Sequence, residues 1–238
     1  MEYMVAEKFK SLQGEGLYAG TPMAFIRFVG CSVGKRICQH CDTDFDRTLT
    51  WRGGGVYTAE QLVEWAGDHE HICLTGGEPL DQDLEPILAE AHADHVLHVE
   101  TSGTKSLSMF SEGNVYVCVS PKPGWLEESV KAADEIKVIV PGLGEINNAI
   151  YDVAVKKGIE SGRYPGTEAA WKLVQLDFRW PELSDAIRWT QMGKVVYLQP
   201  RNGKFDIDQN NLRYVQDLLM EHPTLRLSVQ MHKILKVQ

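Results

Sequence analysis

The chain has 238 residues, of which 43% are hydrophobic and 24% charged, and this length suits one large α/β domain with a single core. Its formal net charge of −9 argues against a non-specific nucleic-acid-binding protein, which needs a basic face. No apolar run reaches the roughly 20 residues of a membrane span, and the N-terminal residues lack a signal-peptide pattern. We therefore expect a cytoplasmic protein with reduced thiols and no membrane partner.

Segments of strand length alternate with helical patterns along the chain. The first strand is predicted at 23–29, and a helix follows in which Thr58 and Gln61 form a capping box and Gly67 ends the helix. Later strands are predicted at 71–75, 95–100, 115–120, 135–140, 171–177, 195–199 and 225–229, and helices at 84–92, 124–133, 144–157, 181–192 and 208–221. This alternation is typical of a parallel sheet, so we expect one α/β domain over 1–238. The segment 158–170 interrupts the rhythm with Gly, Pro and Ser and is predicted to be a surface insertion.

Short polar and glycine-rich motifs directly follow several of the predicted strands. They are TGGEP at 75–79, ETSG at 100–103, SPKP at 120–123 and QPRNG at 199–203, and a loop with three cysteines follows the first strand. Each word alone is an ordinary loop sequence. In α/β barrels, however, the catalytic groups lie on loops at the C-terminal ends of the strands. We therefore expect one edge of the sheet to collect the functional residues.

The three clustered cysteines are Cys31, Cys38 and Cys41, with the spacing C-x6-C-x2-C. An odd total of five cysteines with this clustering favours a metal or cluster site over disulfides. Three thiolates could hold a 4Fe–4S cluster and leave one iron open for another molecule. They could also form a zinc site completed by His40 or an aspartate, or be clustered by chance. Cys73 and Cys118 lie within apolar strands and are predicted to be core residues.

The strand, the loop ending in C-x2-C-D, and TGGEP after the next strand together resemble the radical S-adenosylmethionine (SAM) superfamily, although its common spacing is C-x3-C-x2-C. Within it, FKSLQGEGLYAGTPMAFIRFVGC, CDT after the third cysteine and VQMHK near the end resemble the 7-carboxy-7-deazaguanine synthase family. The resemblance implies a partial, modified (β/α)6 barrel that acts as a homodimer. It also implies a 4Fe–4S cluster on Cys31, Cys38 and Cys41, SAM on the open iron, Mg2+ and an external one-electron reductant such as flavodoxin.

The reaction implied by this resemblance contracts 6-carboxy-5,6,7,8-tetrahydropterin to 7-carboxy-7-deazaguanine with loss of ammonia, in 7-deazapurine and queuosine biosynthesis. A radical removes hydrogen from C6 of the pterin, the ring contracts, and SAM is regenerated. The sequence does not distinguish a product used in tRNA from one used in DNA modification, and it leaves a modified pterin possible as the substrate. Two other classes of protein are alternatives. The words SLQGEG and QMHK argue against a glycyl-radical activating enzyme, and TGGEP argues against a zinc-stabilised interaction protein.

Site residues follow from the same resemblance. Substrate contacts are expected from Leu12, Gln13, Gly14, Glu15, Arg27, Thr75, His232 and Gln238. SAM contacts are expected from His40, Gly76, Gly77, Glu78, Ser120, Pro121, Lys122, Gln199, Pro200, Arg201 and Asn202, and Thr43 is expected to bind Mg2+. The chemistry suits the substrate, because Glu15 can accept from the guanidine-like edge of a pterin and Gln13 can pair with the neighbouring amide. Arg27 could bind the substrate carboxylate in a fork.

Overall fold

The computed structural model describes residues 1–35, 37–38, 41, 43, 52–91, 94–110, 114–140, 179–203 and 206–236. The predicted helix at 144–157, the predicted insertion at 158–170 and the predicted strand at 171–177 lie outside the described residues. Within the described ranges, no helix has both the length and the apolar character needed to span a membrane.

One mixed sheet organises the described part of the chain. Its strands are β1 Glu2–Leu12, β2 Pro22–Phe28, β3 Gly55–Thr58, β4 His71–Gly76, β5 Val96–Thr101, β6 Val115–Val119, β7 Glu135–Val140, β8 Val195–Pro200 and β9 Arg226–Leu227. Their order is β3-β1-β2-β4-β5-β6-β7-β8-β9. The strand β1 is antiparallel to both β2 and β3, and every pair from β2 to β9 is parallel. The predicted α/β class with parallel strands is confirmed, as an open sheet of the partial-barrel type.

Helices connect most of the parallel strands. They are α1 Ala59–Ala66, α2 Glu85–Ala91, α3 Glu127–Ala132, α4 Leu183–Gln191, α5 Gln209–Glu221 and α6 Met231–Leu235. The predicted capping box is present, because the Thr58 side chain accepts from the Gln61 backbone and the Gln61 side chain accepts from the Thr58 backbone. Gly67 ends α1 with a φ of 61°, a conformation that glycine adopts without a steric cost.

The strand β1 was missed by the sequence analysis, which predicted the first strand only at 23–29. A register shift between Val5 and Glu7 interrupts the pairing of β1 with β2. Such a bulge changes which residues face the core, so the alternation of apolar residues along a strand is broken. Tyr3 and Val5 are buried in the main core, whereas Phe9, beyond the shift, stacks on Phe25 at 5.1 Å between ring centroids.

The two faces of the sheet differ in chemistry because successive strand residues point to opposite sides. On the outer face, residues such as Ile26, Leu74 and Val99 pack against the helices and form the main core. The inner face holds a smaller apolar cluster of Met23, Phe25 and Cys73. The same inner face continues into polar and titratable side chains on β5 to β8, which are His98, Glu100, Tyr116, Cys118, Glu135, Lys137 and Gln199. The predicted burial of the two lone cysteines is confirmed, with Cys73 0% and Cys118 3% exposed.

Candidate functional site

The cysteine loop begins at the C-terminal end of β2 and lies against the end of β4. The Gly77 backbone N–H donates to the carbonyl of Phe28 at 3.3 Å, and the Glu78 N–H donates to the carbonyl of Gly30 at 3.1 Å. A Cβ atom on Gly77 would stand 1.6 Å from the Gly30 carbonyl oxygen and 2.8 Å from Cβ of Cys31. Only glycine permits this approach, so TGGEP and the first cysteine form one unit.

The enlarged part of the loop is a hydrogen-bonded turn. The Gly34 carbonyl accepts from the N–H groups of Ile37, at 3.1 Å, and of Cys38, at 3.0 Å, and the Cys41 N–H donates to the Cys38 carbonyl at 3.0 Å. Burial raises the pKa of the Cys38 thiol to about 11; Lys122 opposes this shift, and the nearby Cys41 and Cys31 add to it. All three thiols are free and half-buried. Among the residues the structure describes, no three Cys, His, Asp or Glu side chains already converge as metal ligands.

The Glu78 side chain links the TGGEP motif to the ETSG motif at the end of β5. Its side chain is 1% exposed and accepts hydrogen bonds at both oxygens. Oε1 accepts from the Thr101 hydroxyl at 2.6 Å and from the Leu80 N–H at 3.2 Å, and Oε2 accepts from the hydroxyl and, at 2.9 Å, the N–H of Ser102. The Glu78 carboxylate is therefore committed to hydrogen bonds within the protein, and it ties TGGEP to the end of β5.

The SPKP motif, which follows β6, lies at the same C-terminal edge of the parallel strands. The Ser120 N–H donates to the Thr101 carbonyl at 2.7 Å, and Lys122 Nζ donates to the carbonyl and hydroxyl of Ser120 at 2.8 and 2.6 Å. Pro121 is buried beside them. Burial lowers the pKa of Lys122, and Cys38 counteracts this shift, so this lysine lies near the cysteine loop.

After β8, the backbone of Arg201 and the side chain of Asn202 are anchored to neighbouring segments. The Arg201 N–H donates to the Val140 carbonyl at 3.2 Å, and the Asn202 amide donates to Oε1 of Gln230 at 3.1 Å. Pro200 is buried at the end of β8. The predicted SAM residue His40 lies outside the described residues. The other predicted SAM residues are brought to the C-terminal edge of the parallel strands, at the ends of β4, β6 and β8.

Glu15 is the centre of a second network on the inner face. Its Oε2 accepts from Nζ of Lys137, and its Oε1 accepts from the side-chain amides of Gln199 at 3.2 Å and Gln230 at 2.9 Å. Burial alone would raise the pKa of Glu15, but Lys137 and the hydrogen bond from Gln230 lower it to about 2. Glu15 is thus a charged carboxylate at neutral pH, held by donors from β7, β8 and the segment before α6.

Lys137 also connects this carboxylate to β5. Its Nζ donates to Oε2 of Glu100 at 2.9 Å, and the Gln13 amide donates to Oε1 of Glu100 at 3.2 Å. Burial would lower the pKa of Lys137, but the negative groups around it raise the pKa well above the usual range. The predicted pair Gln13 and Glu15 is therefore brought together, on a base of Lys137 and Glu100.

The N-terminal and C-terminal segments of the predicted substrate site are in direct contact. The Met231 N–H donates to the Gly14 carbonyl at 2.9 Å. A Cβ atom on Gly14 would stand 2.4 Å from Nδ1 of His232, so His232 lies against Gly14. Leu12, at the end of β1, has a 37% exposed side chain. The predicted contact Gln238 lies outside the described residues.

Arg27, Thr43 and Thr75 are also brought together. Nη1 of Arg27 donates to the Thr43 hydroxyl at 3.4 Å, and Nε forms an ion pair with Glu7 at 2.8 Å. Arg27 and Thr75 are register partners in the parallel pair β2–β4. The residue predicted to bind the substrate carboxylate thus touches the residue predicted to bind Mg2+.

Sequence reasoning missed the interior polar residues, most of all Lys137 and Glu135, because it looked for functional residues at strand ends. Glu135 accepts from the Leu17 N–H at 2.8 Å and from the Tyr116 hydroxyl at 3.0 Å, and burial raises its pKa. A signal was present: in EIKVIV two charged residues occupy alternate positions of an otherwise apolar strand, which places both on one face.

The fold and the site define an α/β enzyme whose parallel sheet carries a three-cysteine loop and a buried polar pocket along one edge. No family model matches the chain. It is 31% identical over 254 residues to the 7-carboxy-7-deazaguanine synthase of Bradyrhizobium diazoefficiens, with 100% of each chain covered. It is 33% identical over 251 residues to that of Caulobacter vibrioides, with 99% of each covered.

A solved structure agrees with these relatives. The crystal structure of QueE from Escherichia coli matches with a TM-score of 0.63 and 26% sequence identity, covering 98% of this chain and 95% of that chain. The chain therefore belongs to the 7-carboxy-7-deazaguanine synthase family, and the family predicted from its sequence words is confirmed.

Proposed function

We propose that this protein is a radical SAM enzyme that contracts 6-carboxy-5,6,7,8-tetrahydropterin to 7-carboxy-7-deazaguanine and releases ammonia. The observation that carries the proposal is the position of the Glu15 network. A charged carboxylate with amide neighbours, suited to the pterin edge, lies against the inner face of the sheet whose strand ends carry the cysteine loop and TGGEP. Family membership supports the same reaction class.

Cys31, Cys38 and Cys41 would hold the 4Fe–4S cluster. Three free thiols on one structured turn are the donors that iron–sulfur clusters take, so the residues fit the group. The ends of β4, β6 and β8 would hold SAM, through the backbone of 76–78, through 120–122 and through 199–202, together with His40. When bound, the cluster and SAM supply the one-electron chemistry that starts the ring contraction, and the protein positions the substrate and excludes competing reactions.

Glu15 and its neighbours would recognise the pterin ring. A carboxylate has about four acceptor positions, and protein donors occupy three of those on Glu15. Gln199 and Gln230 donate through neutral amides, which pterin N–H groups could replace at similar energy, whereas Lys137 supplies the charge. Gln13 would pair with the amide edge, while the backbone of 12–14, with Thr75, His232 and Gln238, would complete the pocket.

Arg27 and Thr43 would hold the carboxylate end of the substrate. Arg27 offers a planar fork for a carboxylate, and its Nη1 already reaches the Thr43 hydroxyl. Mg2+ keeps several waters and uses few protein ligands, so Thr43 is a sufficient protein anchor for an ion that also contacts the substrate. An external one-electron reductant such as flavodoxin, a homodimeric assembly and a cytoplasmic location complete the proposal.

The test is an anaerobic reconstitution with iron and sulfide, followed by SAM, Mg2+, dithionite and carboxytetrahydropterin. We expect a deazaguanine ultraviolet spectrum without consumption of SAM in proportion to product. The variant Cys38→Ala should lose bound iron and activity, whereas the matched variant Cys73→Ala, in the buried apolar cluster, should keep both. Tightly bound zinc without sulfide, or consumption of one SAM for each product, would contradict the proposal.

A further inference from the structure

Lys137 lies under the candidate substrate pocket and touches two of the carboxylates that line it. It is 5% exposed, and its Nζ bridges Oε2 of Glu15 and Oε2 of Glu100. Glu15 follows β1 and Glu100 lies on β5, so no local chain geometry holds these two groups together. The ammonium group of Lys137 is therefore the direct link between two acidic groups that come from separate parts of the fold.

The charge balance around this lysine is negative. The titratable groups that face Lys137, Glu15 and Glu100 lie on β4, β6, β7 and α6 or beside them, and they are Cys73, Cys118, Lys122, Glu135 and His232. A carboxylate close to a second carboxylate has a raised pKa unless a cation compensates the charge. Here Lys137 makes hydrogen-bonded contact with both groups, and its charge lowers the pKa of Glu15.

We propose that Lys137 is a positioning residue that keeps Glu15 ionised and aligned beside Glu100, so that Glu15 meets the substrate as a charged acceptor. The proposal rests on the proposed function, because it takes Glu15 as the group that binds the pterin edge. A protonated Glu15 would present one O–H donor toward the N–H groups of the ring and would lose part of its acceptor capacity. Lys137 therefore acts on substrate binding through Glu15, without needing to touch the substrate.

The substitution that separates charge from hydrogen bonding is Lys137→Gln. A glutamine amide keeps two donor hydrogens for the carboxylates, on a nitrogen one bond nearer the backbone than Nζ, but it carries no charge. We expect the substrate KM to rise at least about tenfold near pH 6.5, with a smaller change in kcat, because ground-state recognition is what weakens. We also expect the ratio of kcat/KM in the variant to kcat/KM in the wild type to rise about tenfold between pH 6 and pH 8.5, as Glu15 loses the proton that it binds in the variant.

Two further variants make the result specific. Lys137→Arg retains the charge and should restore a pH-independent ratio with the wild type. Lys194→Gln is the matched control, since Lys194 is a half-buried lysine whose Nζ donates to the Ala133 carbonyl at 2.8 Å, outside the pocket. It should leave both KM and the pH profile unchanged. If Lys137→Gln does not fold, Lys137→Met, which keeps the length and the apolar stem, serves in its place.

The outcomes distinguish the two proposals. If the wild type converts the pterin and Lys137→Gln loses activity by the same factor at every pH, Lys137 has only a structural role and the inference is overturned. If Lys137→Arg reproduces the pH-dependent loss, charge is not the cause and the inference also fails. Absence of pterin turnover in reconstituted wild-type protein would instead count against the proposed function itself.

Discussion

The contact between TGGEP and the cysteine loop allows a quantitative prediction for Gly77→Ala. The added Cβ would stand 1.6 Å from the Gly30 carbonyl oxygen, and a separation above 3.0 Å is needed, so the two segments must move apart by roughly 1.5 Å. That movement breaks the backbone hydrogen bonds from Gly77 to Phe28 and from Glu78 to Gly30, each worth about 1 kcal/mol. With overpacking strain of about 1 kcal/mol, the free energy of unfolding should fall by about 3 kcal/mol. For a domain of this size the loss lowers Tm by about 6–12 °C.

The assay is thermal unfolding of the cluster-free protein, followed by iron content after anaerobic reconstitution. Gly203→Ala is the matched control, because among the described residues its Cβ would meet only the Asp206 carbonyl, at 3.7 Å, and its φ, like that of Gly77, lies outside the left-handed region. We expect Gly203→Ala to stay within about 2 °C of the wild type. A Gly77→Ala protein with the same Tm as this control and full iron content would refute the reasoning, because the two segments could not then be in contact.

Three other predictions test the site and its support. Glu78→Gln should lower the free energy of unfolding by at least about 2 kcal/mol, because its amide hydrogens would face buried donors. Urea titration measures this change. As the control, Glu128→Gln on the exposed face of α3 should change the free energy of unfolding by less than about 0.5 kcal/mol. Burial and His71 lower the pKa of His98 from 6.5 to about 4. The unfolded chain therefore binds more protons in this window, and up to about 3 kcal/mol of stability should be lost as pH falls from 6.5 to 4. An unchanged pH slope of urea-unfolding stability in His98→Gln would contradict this. Arg27→Lys should raise the substrate KM about tenfold because one ammonium cannot form a fork; an unchanged KM would show that Arg27 does not bind the carboxylate.

The positions of the motifs at the strand ends were predictable because they depend on local sequence. Parallel strands place their C-terminal ends at one edge whatever their pairing register, so the positions of TGGEP, ETSG and SPKP follow once the strands are identified. The helices with clear start and stop signals were predictable for the same reason. The capping box of Thr58 and Gln61, and Gly67 at the helix end, involve contacts over only a few residues.

The interior network was not predictable in this way, because it depends on which strands are neighbours. Lys137 and Glu100 are 37 residues apart and Glu15 is 122 residues from Lys137. A charged residue in a strand of otherwise apolar residues indicates an unusual interior, but it does not identify its partner. Glu78 shows the same limit: its position in TGGEP was visible in the sequence, but the pairing of its carboxylate with Thr101 and Ser102 was not.

The enlarged cysteine loop contains residues that anchor it to the rest of the fold. Three residues more than the common spacing would be expected to loosen the thiols, since a longer loop has more conformations to restrict. Here two of the added region's apolar side chains are buried, Val33 with 7% and Ile37 with 6% exposed, and the Gly34 carbonyl accepts from both Ile37 and Cys38. Gly34 has a φ of 78°, which glycine adopts without strain. The extra residues thus bring their own anchors, so part of the ordering of Cys38 is provided by the fold before any cluster binds. Removing an anchor, for example with Ile37→Ala, should therefore lower the iron content after anaerobic reconstitution, and an unchanged iron content would mean that the loop is ordered by the cluster alone.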